Sequence, residues 1–367
     1  MLLERAEEKA LETLVHEDMA RSGSQGLALA FIDHGKVRLV KTWGIRNIRR
    51  DPLTPSTIMY GASLTKTVFA YLVMQLVQEK RLSLDSSIAD YLPRPLPEYA
   101  NEEAYAPWEH LAGDERWRKI TPRIMLTHST GFANFHFLEP DGKLKIHFEP
   151  GTRYAYSGAG IMLLQFVIER GLGLNLGKEL QARVFGPLKM ANTSLVWRPE
   201  FAANLADGWT EKGEVEPHDQ RSRVRAAGSM DTTIEDMARF AAALVTGKGL
   251  EKKGLQEMTR PGLPIRTASQ FPTFLPELPS QEQHPKLSAG LGVVVFEGPQ
   301  GAGFYKGGHN DSTGNTMVFL PRGQRAVVLL SNDVRSEQLY PSLVKHLLGP
   351  TRAPWSWEYG PLPWTKE

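Results

Sequence analysis

Tyr60-Gly61-Ala62-Ser63-Leu64-Thr65-Lys66-Thr67-Val68-Phe69-Ala70 puts a serine and a lysine three positions apart at the start of a long apolar-periodic run. Val68, Phe69, Leu72, Val73, Leu76 and Val77 recur at helical spacing, so Ser63 and Lys66 fall on the first turn as neighbours across it. Serine is a poor nucleophile at its own pKa and needs an adjacent base, and a Ser-Lys pair is one way to supply it. The ordinary roles of the same residues are an N-cap serine and a solvated surface lysine. A two-residue pattern of such common types arises by chance about once in a chain of this length. It occurs again at Ser342-Leu343-Val344-Lys345, where Leu343, Val344, Leu347 and Leu348 read as packing. What separates the two copies lies elsewhere in the chain.

The chain has 367 residues, long for one compact core, and predicts one large or two interleaved domains. With 41% hydrophobic and 23% charged residues it reads as a soluble globular protein, in either an oxidising or a reducing compartment. A net charge of +2 gives no reason to expect nucleic acid or an anionic membrane as partner. The absence of cysteine excludes disulfides, thiolate metal sites and a cysteine nucleophile. The ten histidines form no His-Glu-x-x-His or comparable cluster, so neither metal nor other cofactor is expected. The N-terminal stretch reads as a charged amphipathic helix without an apolar signal core, and no run approaches the ~18 apolar residues of a membrane span.

Gly26 to Asp33 and Lys36 to Trp43 read as two strands joined by a hairpin at His34-Gly35. A mostly helical stretch follows, over 63–81, 85–92, 120–127, 159–170 and 178–184. Asp231-Thr-Thr-Ile-Glu235 is a capping signal for a helix over 234–245, with another over 251–258. Six prolines between Pro261 and Pro285 predict a surface loop. Strands follow over 290–297, 303–306, 315–320 and 324–331, then a helix over 336–348. The order implies an α/β (α+β) fold in which one antiparallel sheet is built from both chain ends, 1–62 and 226–349. A helical domain, 63–225, is inserted, and the site lies between the two. The Trp/Pro-rich tail, 350–367, carries Trp355, Trp357 and Trp364 and reads as a strap packed on its own domain.

Two further segments give Ser63 its company. Pro150-Gly-Thr-Arg-Tyr154-Ala-Tyr156-Ser157-Gly158 is a loop that delivers a tyrosine just ahead of an apolar helix. Phe304-Tyr-Lys306-Gly307-Gly308-His309-Asn310-Asp311 places a cation and two glycines on a strand, where missing side chains allow close approach. With these the chain resembles the serine β-lactamase and penicillin-binding protein superfamily, in its class C branch, which also holds carboxylesterases and D-amino-acid peptidases. That branch carries S-x-x-K, then Y-x-N, then K-T-G or H-x-G. Leu82-Ser-Leu-Asp85 with Ile88-Ala-Asp-Tyr-Leu-Pro93, Ile120 to Gly131 and Gly228 to Phe240 resemble its flanking segments, and the likeness runs over roughly residues 20 to 349.

The resemblance implies a cofactor-free serine hydrolase that forms an acyl-enzyme on Ser63, with Lys66, Tyr156 and Lys306 as its other catalytic groups. Lys66 would be base or proton relay, its pKa pushed down from ~10.4 by burial and by Lys306. Tyr156, preferred over Tyr154 for its spacing to Ser157-Gly158, would be favoured as a phenolate by the two lysines and move protons to the leaving group. Lys306, preferred over His309 as the motif's start, would hold a substrate carboxylate or tune Tyr156. The backbone N–H groups of Ser63 and His309 would form an oxyanion hole, each donor supplying about 2.7 to 4 kcal/mol. Gly158, Gly307, Gly308 and Asn310 would border the substrate. Gly158 stands where the family has asparagine and Gly307 where it has threonine, so small esters are favoured as substrates over β-lactams or D-amino-acid peptides. A module that is acylated without turnover is the other outcome the motifs allow.

Overall fold

The computed structural model describes residues 5–361. α1 (Arg5–Ser22) precedes the hairpin of β1 (Gly26–Asp33) and β2 (Lys36–Gly44), which turns at His34-Gly35, both with positive φ. After β3 (Met59–Tyr60) come α2 (Leu64–Gln78), α3 (Pro122–Leu126), α4 (Gly158–Phe166) and α5 (Leu176–Leu180). The short strands β4 (Gly208–Trp209), β5 (Val215–Glu216) and β6 (Asp231–Thr232) lead to α6 (Ile234–Thr246) and α7 (Lys252–Met258). The rest is β7 (Leu263–Pro264), β8 (Ser288–Ala289), β9 (Val294–Gly298), β10 (Gly301–His309), β11 (Gly314–Leu320), β12 (Arg325–Ser331), α8 (Tyr340–Leu348) and α9 (Trp355–Tyr359).

Eight strands make one antiparallel sheet in the order β2-β1-β12-β11-β10-β9-β8-β7, so the N-terminal hairpin joins the C-terminal strands through the β1–β12 pairing, Ala28 opposite Leu330. Strands β1, β11 and β12 read as nearly continuous apolar runs because both their faces are covered. Successive side chains point to opposite faces. Ala28, Ala30, Met317, Phe319, Val328 and Leu330 pack with α2 and α6, while Leu27, Leu29, Val318, Val327 and Leu329 pack with α1 and α8. α6 starts where its sequence says, with the Thr233 hydroxyl accepting from Asp236 N–H at 3.1 Å.

Three expectations change. The helix over 85–92 shrinks to a 3-10 turn at Ile88–Asp90, and the strand over 290–297 begins only at Val294. The proline-rich stretch is a surface loop over most of its length, but β7 at its start extends the sheet edge, and Ile265, Thr267 and Gln270 are buried. Its prolines interrupt the ladder without keeping the chain off the core. Of the tail, the described residues up to 361 place Trp355 and Trp357 buried beside the sheet, while Trp364 lies outside the described residues. Among the described residues no single helix is long and apolar enough to cross a membrane.

Candidate active site

The segment before α2 is held rigidly. Gly61 N–H donates to Met230 O at 2.8 Å and the Asn315 carboxamide donates to Tyr60 O at 3.0 Å. Ala62 takes φ +45°, a conformation an L residue keeps only when its surroundings impose it. The turn lifts Ser63 to the helix N-terminus, yet its hydroxyl makes no capping hydrogen bond. That hydroxyl is instead met by two side chains, Lys66 Nζ and Tyr156 OH, each donating to Ser63 Oγ at 2.9 Å. Lys66 is only 2% exposed and also donates to Ala227 O. Burial first, and the Lys306 charge second, hold its pKa well below the ordinary lysine value.

Tyr156 is clamped by its ring, stacked on His128 at 4.3 Å and touched edge-on by Phe271 at 5.2 Å. His128 Nδ1 accepts from Ser157 N–H, and burial beside Lys66 and Lys306 keeps the imidazole neutral. The phenolate expected of Tyr156 is overturned. Burial pushes the phenol well above its usual range, the Glu358 carboxylate pushes the same way, and the bond to Ser63 opposes both without prevailing. The sequence showed the two lysines but neither their own desolvation nor Glu358. Tyr154 is buried with its OH on Gln270 Oε1 at 2.8 Å, away from Ser63.

Ser63, Lys66 and Tyr156 face a cleft of about 530 Å³. Lys306 does not. It is 4% exposed, donates to Gly307 O, and borders a small recess that shares Tyr156, Gln270, Gly307 and Glu358 with the cleft, with its Nζ 5.2 Å from the Tyr156 ring. Burial lowers its pKa although Glu358 opposes the shift. Holding a substrate carboxylate in the open cleft is thereby withdrawn for Lys306; the neighbour of Tyr156 remains.

Gly308 has to be glycine, since a Cβ there would lie 2.8 Å from Leu64 N and 2.9 Å from Ser63 N. Strand β10 thus runs against the first turn of α2. Asn310 N–H bonds Thr313 O across the β10–β11 turn, and alternation along the ladder aims His309 N–H away from β11, beyond the last β9 pairing at Tyr305. The His309 ring is tied up, with Nδ1 3.1 Å from Glu337 Oε1. Burial alone would lower its pKa, but Glu337 and Glu358 outweigh burial and raise it. Asn310 is corrected: it is exposed in the turn, its Oδ1 accepts from Ser312 N–H at 3.0 Å, and it does not line the Ser63 cleft.

The two departures from the family pattern have structural counterparts. At Gly158 a Cβ would collide with the Phe135 ring at 2.4 Å, and Asn134 Oδ1 accepts from Gly158 N–H at 2.8 Å. A carboxamide therefore stands beside the position that lacks one. At Gly307 a Cβ would sit 2.2 Å from Glu358 Oε1. Asn134, Phe135, Gln270, Phe271, Arg225 and Glu358 all line the cleft and were absent from the sequence-based site. Only Asn134 and Phe135 had a signal, their place three and four residues after Gly131 of His128-Ser-Thr-Gly131. Among the described residues no group of three or more His, Asp or Glu is arranged to hold a metal ion.

A lovastatin esterase of Penicillium rubens is 28% identical over 182 residues, 43% of this chain and 45% of that protein. A beta-lactamase of Escherichia coli K12 is 26% identical over 243 residues, 63% of this chain and 59% of that one. The chain thus spans about half the length of these curated relatives. Among solved structures, the octameric penicillin-binding protein homologue from Pyrococcus abyssi superposes with a TM-score of 0.73 at 20% identity, over 94% of this chain and 78% of that one, a likeness of fold. The sequence model of the beta-lactamase family matches residues 11–345, and the chain belongs to that family.

Proposed function

We propose that this protein is a serine hydrolase that forms an acyl-enzyme on Ser63 and hydrolyses small carboxylic esters. The observation that carries the reading is the pair of 2.9 Å contacts from Lys66 and Tyr156 to one serine oxygen, at the edge of an open cleft. With its pKa depressed, Lys66 is available as a neutral amine. The Ser63 hydroxyl then donates to the amine lone pair, loses its proton to it and attacks the ester carbonyl. The oxyanion is received by the Ser63 and His309 N–H groups. As the C–O bond breaks, the protonated Tyr156 gives its proton to the departing oxygen and regains one from the Lys66 ammonium. A water molecule repeats the sequence: its proton goes to the Lys66–Tyr156 pair, its oxygen attacks the acyl carbon, and Ser63 leaves with the proton.

Esters are favoured over β-lactams and D-amino-acid peptides because Gly158 and Gly307 lack the side chains that the resemblance associates with amide and carboxylate recognition. One relative carries the name esterase and another beta-lactamase, which fits a common acyl-enzyme chemistry with divergent pockets. The test is hydrolysis of a short-chain aryl ester by wild type and Ser63→Ala, with intact mass measured after a rapid quench. The reading expects a gain of one acyl group on wild type and no turnover by the variant. Turnover that survives Ser63→Ala sinks it.

A further inference from the structure

The last described helix brings a carboxylate into the cleft and fixes it there. α9 is anchored by Trp357, 1% exposed, whose indole N–H reaches Thr267 Oγ1 at 3.3 Å and whose carbonyl accepts from Gln270 N–H at 2.9 Å. Tyr359 OH donates to Asn315 O at 2.8 Å on the other side. Between these anchors Glu358 points inward with its side chain 2% exposed. Oε2 accepts from Tyr305 OH and from the Gln270 carboxamide, both at 3.0 Å, and Oε1 lies 3.9 Å from His309 Nε2. Its other close neighbour is the bare backbone of Gly307. A carboxylate so held cannot swing away from an incoming group.

Its position relative to the reacting atoms defines a preference. Tyr156 OH is the proton source for the leaving group, so the leaving group lies on the Tyr156 side of Ser63. Glu358 lines both the cleft and the small recess beside Tyr156. Lys306 is buried and borders that recess and not the cleft; of the cations that do line the cleft, Arg221 is paired with Asp219 and Asp231, Arg225 donates to Ala104 O, and Arg223 is exposed. Two like charges a few ångströms apart at a partly desolvated site repel strongly.

We infer that Glu358 is a specificity-determining residue that excludes carboxylate-bearing leaving groups, so that the substrates are esters whose alcohol portion is uncharged or cationic. This rests on the ester hydrolase reading above. It also gives that reading a cause: a D-alanyl peptide carries a carboxylate on its leaving group and a cephalosporin carries one next to its scissile amide.

The experiment compares kcat/KM for phenyl acetate, 3-carboxyphenyl acetate and 3-(trimethylammonio)phenyl acetate, each divided by its hydroxide-catalysed rate. Wild type is expected to rank cationic above neutral above carboxylated, and this readout needs no variant. In Glu358→Gln the ratio of carboxylated to neutral ester rises at least about tenfold relative to wild type. A flat wild-type ranking, or a ratio that Glu358→Gln leaves within about twofold, overturns the inference while the hydrolase reading stands. Failure of wild type on all three esters refutes the hydrolase reading and takes the inference with it.

Discussion

Replacing Tyr156 by phenylalanine removes one hydroxyl and asks whether that hydroxyl gives a proton or takes one. The ring contacts to His128 at 4.3 Å and Phe271 at 5.2 Å survive the change, so the site keeps its shape. What disappears is the O–H that lies 2.9 Å from Ser63 Oγ. Burial and Glu358 hold the phenol protonated over roughly pH 6 to 9, since its pKa lies above the ordinary ~10. Its first act is therefore to donate. A positioned general acid contributes about 10² to 10⁴ in rate, or about 3 to 5.5 kcal/mol of barrier at ~1.36 per tenfold. That contribution is felt only where the departing oxygen needs the proton. An alkyl ester loses the full amount in Tyr156→Phe. A 4-nitrophenyl ester, whose anion departs unaided, loses less than about tenfold. The assay is kcat/KM for both esters, followed by pH-stat titration and by absorbance respectively. Equal losses refute the argument, because they are what a tyrosinate acting as base in the attack on the carbonyl would produce.

The depressed Lys66 pKa predicts that kcat/KM rises with pH and levels off well short of the ordinary lysine value of ~10.4; a limb that ends at that value contradicts it. The same shift bears on stability. The unfolded chain charges this amine at any pH below ~10.4 while the folded protein resists, so the amine costs stability at pH 7 and the cost fades as pH rises through the unfolded value. The change in Tm caused by Lys66→Met is therefore more positive at pH 7 than at pH 10, by a few degrees, and an equal change at both pH values speaks against it. Gly308→Ala forces a Cβ against Ser63 N and Leu64 N; it is expected to cost ~1 to 3 kcal/mol in denaturant unfolding and to cut kcat more than about a hundredfold, and wild-type kinetics would show that the strands have more room. Trp357→Ala removes the anchor of α9 at a cost of ~3 to 5 kcal/mol and exposes the amides of residues 355–359 to exchange before those of the sheet; unchanged protection of α9 contradicts it.

The parts of the site that the sequence reveals are those in which function and local structure share a few consecutive residues. Ser63 and Lys66 need one helical turn, and Lys306-Gly307-Gly308 needs one strand laid against that turn. Ser342 illustrates the contrast: its hydroxyl donates to Asp18 Oδ2 and Leu339 O in a packed interface, and among the described residues no tyrosine hydroxyl bonds it. Glu358 and Gln270 come from segments without a motif, and their meaning arises only when α9 and the proline-rich stretch fold over β10. The protonation of Tyr156 is hidden from the sequence for the same reason. Two lysines are visible in a sequence, whereas the water that burial removes and the acid contributed from 52 residues downstream of Lys306 are not. In the sheet, the hairpin and the last strands are plain from their apolar runs, but the alternation that distinguishes two covered faces is not, because the central positions of β1, β11 and β12 are apolar on both faces.

The pairing of β1 with β12 sets a timetable for the growing polypeptide. β1 can bond β2 as soon as both have left the ribosome, yet its other edge meets Leu330 and its neighbours only when chain ~300 residues further on has been made. At a synthesis rate of roughly 5 to 20 residues per second that edge waits about 15 to 60 seconds, apolar on both faces and open to the wrong strand. A cell that makes this protein in quantity has to shelter a hairpin for that interval, and overexpression without added chaperone is where aggregation should first be seen.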